Sequence, residues 1–356
     1  MSELEPRPGV RRIAVLRANG IGDFLSTLPA LGALAEAYPA AEITLIGDAW
    51  LADFLAGRPG PWHAVAVAPT YPGLRGLASD APEGADAAVF LAGQRERRYD
   101  IAVQLHGGGY NSNHFVTRLG ARLTVGARAI GAPALDRTVP YVEHRSEVLR
   151  CLEVVGLVGA VASGTGVLVP RIAVTADDLA ESRERLPEEE PFAVLHVGAR
   201  DPRRRWPTAS FAAVGRGLLE RGLRVVLTGA AADRALSAEV ASAGQPGAVT
   251  DLTGRLSLGG TLGLVARAAL FVGNDSGPRH LAVASGTPTV GIFSVVNLLT
   301  FGPLAGGSHR VATAYRSSCP VCGREQDGPR CPHDVSFTSE VTVEQVLAQD
   351  GAALQA

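Results

Sequence analysis

Lysine is missing from this sequence, so all 33 of its Lys+Arg residues are arginine. Any phosphate contact must then come from a planar guanidinium with a bidentate fork, and Schiff-base chemistry on a lysine amine is excluded. No sign of charge is in excess, because 35 acidic residues leave a formal net charge of −2. With no basic stripe interleaved with aromatics, nucleic acid is not an expected partner. Long apolar runs are lacking too: no stretch reaches the roughly 18 uncharged residues that span a bilayer. Residues 1–12 are polar and contain no apolar core of a secretory signal. The expectation is a cytoplasmic chain, monomeric, with at most peripheral membrane contact.

What is present is globular in character. Apolar residues make up 46% of the 356 and charged ones 19%, which removes the disordered and fibrous classes. The length accommodates two domains, each with its own core. Arg12 to Arg17 reads as a buried strand, Ala18 to Asp23 as a glycine-bearing loop, and the residues up to about Tyr38 as an apolar-periodic helix. Further strands are expected at 42–46, 63–67 and 100–105, with a helix from Arg145 to Val158. The run from Gly159 to Arg171, rich in Gly, Ser and Val, reads as an inter-domain linker. A second cycle follows: strand 191–196, helix 207–221, strand 223–228, helix 258–268, strand 270–273, a helix from Pro278 to Ser285, and strand 287–293. The expected fold class is α/β, two doubly wound Rossmann-like domains at 1–165 and 166–356, with the last helix returning to the first. Facing halves of this kind would hold ligands in a cleft at their strand C-terminal ends.

The most informative segment is Phe271 to Phe293, where a strand meets a helix through Gly273-Asn-Asp-Ser-Gly-Pro-Arg-His280. Pro278 suits the first helical turn, which leaves the Ser276 and Gly277 amides at the positive end of the dipole, a site for a diphosphate. Asp275 and His280 flank it. For the isolated tetrapeptide, plain helix capping by Asp275 or Ser276 is the competing reading.

Gly273 to His280 with Gly286-Thr-Pro-Thr-Val290 resembles the signature of glycosyltransferase family 9, the heptosyltransferases. Leu16 to Ala30, with its Gly22-Asp23 pair, is similar to that family's opening, and His196 to Pro207 to its basic loop before a Trp-Pro. The resemblance implies a GT-B fold, an acceptor held by the first domain, and a nucleotide-sugar held by the second. It implies inverting transfer of a heptose or related sugar from an ADP-sugar to a hydroxyl of lipopolysaccharide core, another glycan or a small metabolite. No Asp-x-Asp is present to hold a divalent ion, so helix dipole and arginines would neutralise the leaving group, with neither metal nor cofactor. On the same resemblance Asp23 is the catalytic base. Arg204, two before the Trp-Pro where relatives commonly carry Lys, would meet the donor phosphates. Asp233 would reach the donor ribose or else cap its helix, and Leu256 would line the base pocket.

On the acceptor side stand Gly22, His106 at the end of a strand before the Gly107 to His114 loop, and the arginines Arg118, Arg122 and Arg128. His106 reads equally as a ligand contact or a hydrogen-bonded structural histidine, and the arginines as anion contacts or solvated charges. Cys319, Cys322, Cys331 and His333 have the spacing of a Cys₃His zinc set, yet reduced thiols or a local disulfide is the favoured reading. Cys151 is read as core. Two other functions remain open: an NAD(P)-dependent oxidoreductase using Gly20-Ile-Gly22 and Asp48, in which Leu25 occupies the third glycine position, and a non-catalytic glycan-binding module.

Overall fold

A computed structural model describes residues 5–354 except 75–81, 163, 165–167, 188–189, 244–247, 306 and 334. It divides into two compact units, Met1–Pro170 and Arg171–Ala356. The first unit contains β1 (Arg12–Leu16), α1 (Ile21–Leu25), α2 (Leu28–Ala37), β2 (Glu42–Gly47), α3 (Ala49–Leu55) and β3 (Ala64–Val67). It continues with α4 (Ala85–Glu96), β4 (Ile101–Gln104), α5 (Ser112–Thr117), β5 (Leu123–Arg128), β6 (Arg137–Pro140) and α6 (Glu147–Gly156). Its six strands are all parallel, in the order β3-β2-β1-β4-β5-β6.

The second unit contains α7 (Ala176–Arg185), β7 (Phe192–His196), α8 (Thr208–Glu220), β8 (Arg224–Leu227), α9 (Arg234–Ser242) and β9 (Val249–Asp251). It ends with α10 (Leu258–Arg267), β10 (Leu270–Asn274), α11 (Gly277–Ser285), β11 (Thr289–Ser294), α12 (Val295–Phe301), β12 (His309–Ala314) and α13 (Val343–Leu354). Its sheet is also parallel throughout, β9-β8-β7-β10-β11-β12, which is the first unit's order repeated. Helices cover both faces of such sheets, so the central strands read as apolar runs, and Ile13 to Leu16 and Ala193 to Leu195 are wholly buried.

In each sheet the strand order reverses once, between β1 and β4 and between β7 and β10. Connections from the neighbouring strands leave on opposite sides there, and the divergence opens a crevice at the strand C-termini. Leu16 pairs with Gln104 at one crevice, and His196 with Gly273 at the other.

Two expectations are corrected. The long first helix is two, because Pro29 has no N–H to donate to Leu25, and Ser26 and Thr27 turn their hydroxyls onto the Gly22 and Phe24 carbonyls. Strands β5, β6, β9 and β12 join the sheets where no strand was expected. The last helix, α13, buries Val346 in the second unit's core, with the partly buried Leu347 packed against it.

Candidate active site

At the first crevice, Arg17 follows β1 directly and is 3% exposed. Its Nη1 donates to Glu147 Oε1 at 2.8 Å and to the Leu105 carbonyl, and its Nη2 donates to Asp23 Oδ1 at 3.0 Å. Glu147 in turn accepts from Arg150, whose guanidinium covers the Tyr141 ring. Two cations and two carboxylates thus form one network of zero net charge. Burial works against the Arg17 charge, but Glu147 and Asp23 outweigh it and raise its pKa. Asp23, in the first turn of α1, is the open end, with a side chain 30% exposed. Cys151 lies beneath in α6, its thiol pushed up to about 12 by burial.

His106 straps this crevice. The Ala18 amide donates to its Nδ1 at 3.2 Å, and the ring also reaches the backbone of Gly73. Burial, helped by the Arg17 charge, lowers its pKa to about 4, so the ring is neutral near pH 7. The loop after it is held from inside: Gln104 Nε2 donates to the His106 and Gly107 carbonyls and to Ser112 Oγ. Asn113 Nδ2 donates to the Ala127 and Pro133 carbonyls. Asn19 Oδ1, in the β1–α1 loop, is buried without a protein partner. The expected arginines are engaged elsewhere. Arg118 forks onto Glu83 at 2.6 and 3.0 Å, Arg122 lies 3.3 Å from Asp100, and Arg128 Nε donates to the Ala132 carbonyl. Asp48 caps α3 through the Ala49 amide.

At the second crevice a cavity of about 600 Å³ is lined by His196, Arg205, Asp233, Leu256, Ser276 and Gly277, among others. Four of the expected donor residues, Asp233, Leu256, Ser276 and Gly277, therefore share one wall system. Ser276 is the N-cap of α11, with Gly277 and Pro278 opening the helix, so its dipole end faces the cavity. Asp233 Oδ2 accepts from the Ala230 amide, the capping role, while packing so closely on Gly198 and Gly229 that a Cβ on either would strike it. His196 shares a hydrogen bond of 2.8 Å between Nδ1 and the Thr228 carbonyl, and burial lowers its pKa.

The remaining expected donor residues form a separate buried cluster beside that cavity. Asp275 Oδ1 accepts from Arg279 Nε at 3.3 Å and Nη2 at 3.1 Å, with His280 Nε2 3.3 Å away. Asn297 Nδ2 donates to Oδ2 at 3.0 Å, and Arg204 Nη1 stands 3.9 Å off. Burial alone would push this carboxyl up, but the His280 bond and the charges of Arg279 and Arg204 together hold it well below the usual range. Among the three consecutive arginines, Arg203 is tied to Asp201 and Arg205 lines the cavity, while Arg204 leans over Asp275. Asn274 fixes this loop, accepting from the Trp206 amide and donating to the Val197 and Gly198 carbonyls. Arg17, His196, Asn274 and Arg205 were not singled out in the sequence. Each lies in a stretch that carries the family resemblance, at or just beyond the end of a central strand or in the loop that follows.

All four cysteines are free, so of the two favoured readings for Cys319, Cys322 and Cys331, reduced thiols or a local disulfide, the disulfide is not formed. The amides of Cys322 and Val321 draw the Cys319 thiol down to about 6.

Two parallel doubly wound units, each with a crevice at its strand C-termini, a helix N-terminus at the second and a carboxylate at the first, define a two-domain α/β protein of the Rossmann-like class. The chain belongs to glycosyltransferase family 9 (heptosyltransferase), whose model matches residues 92–327. Lipopolysaccharide heptosyltransferase 2 of Escherichia coli (strain K12) is 25% identical over 300 residues, 79% of this chain and 82% of that protein. Lipopolysaccharide heptosyltransferase 3 of Escherichia coli is 34% identical over 114 residues, and the match spans only about a third (34%) of that relative's length and 32% of this chain. Among solved structures, a glycosyl transferase family 9 protein from Veillonella parvula DSM 2008 superposes with a TM-score of 0.78 at 20% identity, covering 99% of each chain. The ADP-heptose lps heptosyltransferase II of E. coli gives 0.72 at 20% identity, covering 97% of this chain and 98% of that one. The fold is thus the α/β GT-B class, and family membership displaces the oxidoreductase reading.

Proposed function

We propose that this chain transfers a heptose, or a related hexose, from an ADP-sugar to an acceptor hydroxyl with inversion at the anomeric carbon. The second unit holds the donor and the first unit the acceptor. The observation that carries the reading is the 600 Å³ cavity where the α11 N-terminus, Arg205, Asp233 and Leu256 converge. In it the Ser276 and Gly277 amides bind the diphosphate, Asp233 meets the ribose, and Leu256 packs on the base. Arg204 and Arg205 stabilise charge that develops on the leaving nucleotide, a task that needs no divalent ion at the reacting centre. Asp275 and His280 act behind the cavity wall by fixing the helix end and Arg279.

Asp23 takes the proton of the acceptor hydroxyl as the new glycosidic bond forms, while Arg17 holds its rotamer. Gly22 and His106 border the acceptor, and Asn19 Oδ1 offers it an acceptor atom. With Arg118 committed to Glu83 and Arg128 to a carbonyl, the reading rests on neither. The ADP-heptose named for one structural relative supports the donor, and the lipopolysaccharide named for others supports a core-glycan acceptor. The enzyme works in the cytoplasm as a monomer, with at most peripheral membrane contact.

Calorimetric titration with ADP tests the donor side, and ADP release from an ADP-heptose on adding an acceptor tests transfer. Nucleotide-sugar binding with no turnover on any acceptor would favour the glycan-binding alternative, and binding of a nicotinamide cofactor instead of ADP would sink the reading.

A further inference from the structure

Behind the basic loop of the second unit lies a cluster that the transfer reaction does not use. Cys319, Cys322, Cys331 and His333 bring one ligand atom each to within 4.8 Å of one another. Cys319 Sγ and His333 Nδ1 are 3.6 Å apart. In a tetrahedral zinc site, with metal–sulfur near ~2.3 Å and metal–nitrogen near ~2.05 Å, the sulfur–nitrogen edge is ~3.6 Å and the sulfur–sulfur edge ~3.8 Å. A disulfide would instead need two sulfurs ~2.05 Å apart, and none is formed.

The backbone is shaped for the same purpose. Ser318 and Glu325 form an antiparallel bridge, the Cys319 amide donates to the Arg324 carbonyl, and the Gly323 amide returns to the Cys319 carbonyl. Gly323, with φ at +72°, makes the turn that presents both cysteines of the Cys-x-x-Cys pair to one point. Cys331 and His333 come in from the other side, where Arg324 bonds the Arg330 carbonyl and closes the loop. Apolar support is thin: among the described residues, Phe337 and the partly buried Val335 are the hydrophobic side chains packed with Cys319 and Cys331. With so small a core, a bound metal would contribute directly to the folding free energy of this segment.

We propose that Cys319, Cys322, Cys331 and His333 bind one structural zinc ion, and that this knuckle staples the arginine loop and the Asp275 cluster in place. The first staple is direct: the Phe337 amide donates to the Arg203 carbonyl at 2.7 Å, and Ser336 Oγ to the Arg205 carbonyl at 2.5 Å. The second runs through Gln326, whose Nε2 donates to Ser294 Oγ at 2.6 Å and Asn297 Oδ1 at 2.7 Å, and Asn297 holds Asp275. The ion therefore acts on the donor site through backbone position and takes no part in the chemistry.

The full-length chain, purified without a metal-chelate column from zinc-supplied cells, should contain one zinc per chain by elemental mass spectrometry. A mercurial reagent should release that zinc as three thiols react. Cys331→Ser and His333→Ala should each lower bound zinc by about tenfold or more, with the wild-type metal content and thiol count deciding the matter if either variant aggregates. Stripped wild-type protein should exchange amide hydrogens faster than loaded protein at residues 200–206 and at Phe337, with β1 unchanged. Lack of stoichiometric zinc, iron in its place, a disulfide in the native protein, or zinc retained by both variants would each overturn the site. Unchanged exchange at residues 200–206 would overturn the staple. None of these readouts uses a sugar donor, so their failure is separate from failure of the transferase reading.

Discussion

Asp23, in the first turn of α1, is fixed at one oxygen by Arg17 at 3.0 Å and is the partly exposed member of an otherwise buried charge network. Replacing it by asparagine keeps the size and an acceptor for Arg17 but removes basicity, so turnover should fall ~10²–10⁴-fold while ADP affinity stays within experimental error. A steady-state rate and a donor titration on one preparation check this, and near-normal turnover would remove Asp23 from the chemistry. His106 offers a test by pH. Its pKa is near 4 when folded, below its ordinary 6.5, so the unfolded chain binds the proton more readily. Its contribution to stability is therefore complete above pH 6.5 and is lost as pH falls toward 4, by up to about 3 kcal/mol. Glutamine can accept from the Ala18 amide without titrating, so His106→Gln should lose less stability than the parent between pH 7 and pH 4. Parallel denaturation midpoints across that range would mean that the ring is not held neutral.

At the scale of elements, the N-terminus of α11 is anchored from within by Asp275. Arg279 is 3% exposed and has Asp275 as its charged partner, with the Phe301 carbonyl as a further acceptor. Asp275→Ala leaves that guanidinium buried and uncompensated, at a cost of about 3–5 kcal/mol. Chemical denaturation measures it, and adding Arg279→Met should recover part of the loss. A cost below about 1 kcal/mol would mean the carbonyl suffices. These elements were legible to different degrees for physical reasons. β1, β7 and β10 announce themselves because both faces of a central parallel strand are buried and its residues run apolar. β5 carries Gly126 and ends on an exposed Arg128, while β6 and β9 are short edge strands with half-exposed residues, so neither shows a run. The helix start at Ser276–Gly277 was readable from a local motif, whereas Asp23 was singled out only through the family resemblance. Glu147 and Arg150 were not, because only the fold carries α6 beneath Arg17. Nor does a run of three arginines tell which one faces the cavity, since the 3-10 turn at Pro202–Arg204 sets that.

At the scale of the molecule, one strand order occurs twice, and each copy opens a crevice at its own reversal, with different side chains in each. Repetition of topology does not repeat chemistry: the first crevice ends in Arg17, Asp23 and His106, the second in a helix N-terminus ringed by arginines. ADP should accordingly recognise one of them. Bound at ~100 times its dissociation constant, it stabilises the unit that holds it by about 2.7 kcal/mol through mass action alone. Because the units have separate hydrophobic cores, that stabilisation should stay within one of them. Hydrogen exchange of the full chain with and without ADP should show slowing, by up to ~100-fold where opening exposes the site, at residues 196–206, 229–233, 256–258 and 275–280. The loop at residues 18–23 should exchange as before. Protection confined to that loop would put the nucleotide on the first unit and exchange the donor and acceptor assignments, since the two crevices are topologically equivalent and only their side chains distinguish them.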